Sequence, residues 1–354
     1  MFVWAIVLFM LSFDIAMPIA LFVVTLVAML LYRRIEGKLK TTFEEREFRR
    51  RDAVLFVVMI SVAVSVIVFV PQMAILALFL FSYSTLLFAF SYVFSDMRKK
   101  RAQLFSVGFG LASLTAGSVA LLDSFADRLM FYGGLALLGL AAFAFLALLL
   151  EWRRTYSKAR WYLAVLPPVL FILLYFVYNG TGLWSPYLFD VFGLVFALLI
   201  ILYLGTLFTW KAFLVFATLL PVADVILVWV TQTMVETADH ILKLGLPIAV
   251  ALPTFPSVGA TILGLGDLFF AGIIAIQMMQ KFGKRTAVVS AFAMSVSLGF
   301  FELFILNPSL RAILPVPALP ATLAIFFGWL PVIAWKMLSE RKQKQQESRE
   351  INQK

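Results

Sequence analysis

Three observations predict an all-α polytopic membrane protein. Of 354 residues, 63% are apolar and only 14% are charged, whereas ordinary soluble domains run to roughly 45–50% apolar. The apolar residues, at a mean hydropathy of +1.01, gather into long runs that are apolar all round, whereas barrel strands alternate polar with apolar. The basic residues collect in alternate connections between those runs. A water-exposed globule has nowhere to hide so much apolar surface, so lipid is the solvent for most of this chain.

A helix needs about 20 apolar residues to cross the hydrocarbon core. Eleven runs read as spans: 2–32, 53–70, 72–94, 102–122, 129–150, 161–177, 188–208, 211–231, 257–279, 286–306 and 318–338. The first is too long for a signal-peptide core and has no basic residue before it, which argues against a cleaved leader. Pro71 and Lys211 mark tight turns between successive spans. The stretch 339–354 is a polar tail, and neither an internal repeat nor a second, soluble domain is evident. With the N-terminus outside, the inner connections and the C-terminal end carry 26 of the 29 Lys and Arg residues, leaving Arg128, Lys243 and Arg311 outside. That asymmetry places the C-terminus in the cytoplasm. It also reads the net charge of +10 as anchoring at the membrane face, with no nucleic-acid partner. Asn179-Gly180-Thr181 fits the glycosylation pattern in an outer connection, a pattern common by chance.

The absence of cysteine and the single histidine, His240, exclude disulfides, thiolate chemistry and a histidine metal cluster. No metal or cofactor is expected; chemistry falls to carboxylates, hydroxyls and backbone. Five acids lie inside spans: Asp14, Asp190, Asp224, Asp267 and Glu302. A carboxylate in a span costs roughly 2.5–3.5 kcal/mol on insertion scales, so each is a functional candidate. Asp190 and Glu302 sit near outer ends, within reach of water, and Asp14 lies in the overlong first run. Asp224 is about 10 Å and Asp267 about 15 Å from the outer face, at 1.5 Å per residue, on antiparallel helices joined by one outer connection, 232–256. At similar depth the two carboxyl groups can face each other. Two carboxylates in contact do not easily both ionise, so such a pair holds one proton. The ionised member can activate water while the protonated member hydrogen-bonds a carbonyl. Position alone is equally compatible with two structural acids or with an ion pathway.

Two motifs add to this. Leu263-Gly264-Leu265-Gly266-Asp267 sets glycines beside the second acid, where another backbone can approach closely. Pro317-Ala318-Leu319-Pro320 opens the last span with two residues that lack backbone donors, and irregular backbone at membrane depth is tolerated where it lines a cavity. Either motif alone has an ordinary packing explanation. In this order and spacing, with an acid one span upstream, the chain resembles the presenilin/signal peptide peptidase family, and archaeal members in particular over 223–247. The resemblance covers about 188–338. It implies a nine-helix membrane core at 71–338, with accessory spans at 1–70. It implies catalytic Asp224 and Asp267, and a substrate cleft framed by Gly264, Leu265, Gly266, Pro317, Ala318, Leu319 and Pro320. The activity implied is intramembrane aspartyl proteolysis of transmembrane helices or signal-peptide remnants, in what would be an archaeal cell membrane. One departure is that Ala223, not an aromatic, precedes Asp224; Phe189-Asp190 carries that dipeptide instead.

The connection 232–256 reads as a short interfacial helix over Thr231–Leu244. An apolar β-prone segment between prolines follows, which reads equally as a plain hydrophobic loop or as a strand suited to pairing with an unwound substrate. A transporter or channel using the intramembrane acids, and a prepilin-peptidase-like enzyme cutting near the cytoplasmic face, are the other readings. Oligomeric state stays open.

Overall fold

The computed structural model describes residues 15–42, 49–123, 128–153, 160–231, 236–237, 241–253, 260–306 and 320–352. Helices follow one another as α1 (Ala16–Thr42), α2 (Arg50–Ile67), α3 (Gln72–Val93), α4 (Lys99–Asp123), α5 (Arg128–Arg153), α6 (Trp161–Ala164) and α7 (Leu166–Tyr178). Then come α8 (Phe189–Leu207), α9 (Trp210–Val225), α10 (Leu265–Phe282), α11 (Lys284–Leu306) and α12 (Ala321–Asn352). π-Helical turns occupy Trp184–Leu188 and Ile226–Val230, and strands β1 (Ala249–Pro253) and β2 (Ala260–Gly264) precede α10. Among the described residues, ten helices are long and apolar enough to cross a membrane. The chain is an all-α polytopic integral membrane protein.

Three expected spans have different bounds in the structure. The span expected at 53–70 is α2, whose 18 residues include Arg50, Arg51 and Asp52. Its apolar part, from Ala53 to Ile67, is about 22 Å long, so it crosses a hydrocarbon core of roughly 30 Å only where the bilayer thins locally. The orientation expected from the basic residues, with the termini on opposite faces, counts it as a crossing. The run 2–32 overlaps α1, which continues to Thr42 because Arg, Glu and Lys are good helix formers outside the apolar layer; Asp14 lies outside the described residues. The span expected at 257–279 is not helical throughout, for β2 takes up Ala260–Gly264 and the helix begins only at Leu265.

Two compact units form. One comprises Val70–Phe192 with Ile241–Pro247. In it α4 and α5 pack as a hairpin through a seam of small residues, Ser106, Gly110, Ser113, Gly117 and Ala120. A Cβ on Gly117 would stand 3.0 Å from the Gly134 carbonyl oxygen, so this seam admits close backbone approach. The far end of α5 is tied by a buried ion pair, Arg160 Nε to Glu151 Oε2 at 2.9 Å. Arg160 also donates to the Met97 carbonyl at 2.6 Å, and the Tyr162 hydroxyl donates to Glu151. The segment from Ile241 to Pro247 is pinned by three donors. Tyr175 and Asn179 bond the Leu244 carbonyl at 2.6 and 3.0 Å, and the Trp184 indole bonds that of Gly245 at 2.9 Å.

The other unit comprises 1–69, 193–240 and 248–354. Its centre is α10, buried almost continuously from Leu268 to Met278, as a helix enclosed on every side must be. Helices α1, α9, α11 and α12 pack against it. Gln277, the polar residue deep in α10, donates to the Phe208 carbonyl at 3.0 Å, and Gln280 donates to the Tyr32 hydroxyl.

Candidate active site

The first acid is set by α9. Thr209 caps this helix, its hydroxyl accepting the Ala212 N–H at 3.3 Å. A buried proline, Pro221, interrupts it near its far end, withdrawing the donor that the Ala217 carbonyl would otherwise meet. Asp224 follows three residues later, 7% exposed, and the helix then widens into the π turn, with the Thr231 N–H reaching the Ile226 carbonyl at 3.0 Å. Irregular helix on either side of an acid is common where helices serve function.

The second acid is set by the hairpin. β1 and β2 pair antiparallel, Ala249 opposite Gly264 and Pro253 opposite Ala260. The Leu265 N–H closes onto the Ile248 carbonyl at 3.0 Å. Gly193 admits this ladder against α8, because a Cβ there would meet the Ala249 carbonyl oxygen at 2.7 Å. β2 ends at Gly264, which is at once the N-cap of α10. Asp267 is therefore the third residue of a helix, where it accepts the Gly264 N–H. This is the reach-back half of a capping box, and it places an acid at the positive end of the helix dipole.

The start of α12 completes the site. Pro320 is buried, and its carbonyl accepts the Leu323 N–H at 3.1 Å. Two residues on, the Thr322 N–H donates to Asp267. Two helix N-termini thus converge on one carboxyl group. The Thr322 hydroxyl is buried and lies beside the Asp224 carboxyl, within hydrogen-bonding reach of it. The carboxyl groups of Asp224 and Asp267 are near enough for their charges to interact.

Aromatic packing sets this spacing. Phe216, two turns below Asp224 and fully buried, meets Phe269 and Phe270 of α10 at 5.8 and 6.2 Å between centroids. Phe213 meets Trp329 of α12 edge-on at 5.5 Å. Such edge-to-face contacts favour defined distances.

Of the residues singled out by sequence, Asp224, Asp267, Gly264, Leu265, Gly266 and Pro320 come together here. Gly264 is packed, for a Cβ on it would lie 3.1 Å from Asp267 Oδ2. Gly266 is open, with nothing within 4 Å of such an atom, and Leu265 turns inward, 7% exposed. Pro317, Ala318 and Leu319 lie outside the described residues, as do His240 and much of the short helix expected over Thr231–Leu244. Asp190 opens α8, in its first turn. Glu302, expected near water, is buried. Sequence reading missed Thr322; its one signal is a hydroxyl two residues past the last proline of the second motif. No protein-family model matches the chain, and no curated protein matches it either.

Proposed function

We propose that this chain is an intramembrane aspartyl endopeptidase of the presenilin/signal peptide peptidase type, hydrolysing peptide bonds within transmembrane segments or signal-peptide remnants. The observation that carries this reading is the meeting of Asp224 and Asp267, on two membrane-spanning helices, at the N-terminus of a third. One carboxylate takes a proton from water as its oxygen attacks the scissile carbonyl carbon. The other carboxylic acid gives its proton to the carbonyl oxygen. The gem-diol intermediate then collapses: one of its hydroxyls returns a proton to the second carboxylate as the C–N bond breaks, and the proton held by the first carboxyl passes to the leaving nitrogen, leaving a carboxylic acid, an amine and the dyad with its single proton.

Access supports the same reading. Gly266 borders open space beside Asp267, so a substrate backbone can come close there. The β-prone segment pairs with β2 in a two-stranded sheet, and in this reading an unwound substrate joins it by strand addition. In this reading the N-terminus lies outside and the C-terminus in the cytoplasm of an archaeal cell membrane; the distribution of basic residues supports that orientation, which suits signal-peptide remnants.

The test measures cleavage of a reporter transmembrane helix in detergent or liposomes. Asp224→Asn and Asp267→Asn, made separately, should each lower the rate by roughly 10²–10⁴-fold. Cleavage retained by either variant would exclude the dyad.

A further inference from the structure

A groove of about 490 Å³ runs along α4 within the unit of Val70–Phe192 and Ile241–Pro247, from Arg101 past Leu104, Gly108 and Phe109 to Ala112, with Leu170 of α7 on its far wall. From Arg101 to Ala112 the helix rises about 17 Å, close to one leaflet of a hydrocarbon core roughly 30 Å thick. The floor is hollow because its residues are small: a Cβ on Gly108 would meet nothing within 4 Å. Phe105 and Phe109, their rings 4.5 Å apart, form a flank. The groove is apolar along its length and charged at one mouth. There Arg98, Lys99, Lys100 and Arg101 follow one another, all exposed, with Asp96 the nearby acid; Lys99 donates to the Trp152 carbonyl at 2.9 Å.

We propose that this groove holds one anionic phospholipid, a hydrocarbon chain lying along Leu104–Ala112 and the phosphate at Arg101. Three features specify that occupant. An apolar channel on a membrane-spanning helix takes hydrocarbon in preference to a polar solute. Its length matches one chain of one leaflet. Arg101, which lines the mouth within a run of four basic residues, complements a negative headgroup at the interface, the pattern by which basic clusters beside membrane helices select anionic lipids.

The test is native mass spectrometry of the purified, delipidated full chain, titrated with phosphatidylglycerol or with phosphatidylcholine of the same acyl chains. One phosphatidylglycerol should be retained per chain, more tightly than phosphatidylcholine. Arg101→Ala should weaken it about fivefold, the loss of roughly one interfacial charge, and Arg98→Ala, outside the groove, by less than twofold. Gly108→Leu, which fills the floor without altering charge, should abolish the site. Gly108 and Ala112 are exposed, so the substitution spares the core; should Gly108→Leu fail to fold, Ala112→Leu fills the same channel. Equal retention of the two lipids, or phosphatidylglycerol binding untouched by the groove-filling variant, overturns the proposal.

Discussion

Gly264 has two roles that any side chain would disturb: it ends β2 and it caps α10 beneath Asp267. A Cβ there would stand 3.1 Å from Asp267 Oδ2, tight enough to push the carboxyl aside. Gly264→Ala should therefore reduce cleavage of a reporter helix while leaving thermal unfolding close to that of the parent, whereas Gly266→Ala, which meets open space, should alter substrate affinity more than turnover. Thr322 offers a sharper probe. Thr322→Val keeps the shape and the backbone N–H to Asp267 but removes the hydroxyl beside Asp224. The proposed dyad should lose about tenfold in kcat, the usual worth of one hydrogen bond, and Thr322→Ser should restore most of it. A pair sharing one proton also requires a bell-shaped pH profile. Activity should fall in acid, as both carboxyls become protonated, and in base, as both ionise; a flat profile would speak against the pair.

The helices are held to the site by packing more than by polar bonds. Phe216 binds α9 to α10 through Phe269 and Phe270, and truncation to Ala removes a fully buried ring. Phe216→Ala should cost about 3–5 kcal/mol, measurable as a lowered Tm in detergent, and should cost activity as well because the carboxyl spacing loosens. At the crossing of α11 and α12, a Cβ on Gly328 would come within 2.6 Å of the Ala293 carbonyl oxygen, while Ser297 donates to the Ala324 carbonyl at 2.7 Å. Small residues and such side-chain-to-backbone bonds are how helices associate without a hydrophobic drive in lipid. Gly328→Leu should separate these helices and remove Thr322 from Asp267. A different balance governs the end of α5. Glu151 and Arg160 are both buried, so Glu151→Ala strands a guanidinium and should cost about 3–5 kcal/mol.

Across the molecule, the basic residues argue for one orientation. The chain has no cysteine, so single introduced cysteines report cleanly. Gly182→Cys, in an expected outer connection, should react with a membrane-impermeant thiol reagent on intact cells. Arg98→Cys, in an expected inner one, should react only after permeabilisation. The reverse pattern would overturn the orientation. The α9 span and the helix that bears Asp267 belong to the same compact unit as α1 and α2, so the proposed chemistry draws on packing from both ends of the chain.

Hydropathy was enough to show the membrane spans, because crossing lipid demands a long run of apolar residues whatever packs against it. Asp267 was legible for a related reason: Gly264, which packs against its carboxyl, and the open Gly266 are its sequence neighbours. Asp224 was legible through its place in a span, where a carboxylate needs a reason. The start of α10 was not. Ala260–Gly264 is an apolar run that reads alike as helix or strand, and its choice rests on Ala249–Pro253 being there to take its N–H and C=O groups. Thr322 escaped notice because hydroxyls inside helices are ordinary, and only the convergence of α9, α10 and α12 sets this one beside a carboxyl. Glu151 and Arg160 read as loop charges and prove to be a buried pair. Composition and short motifs thus carry what lipid imposes on each segment separately. Which backbone groups pair, and which polar atoms share one site, depends on residues far apart in the chain, and the packed helices alone supply those partners.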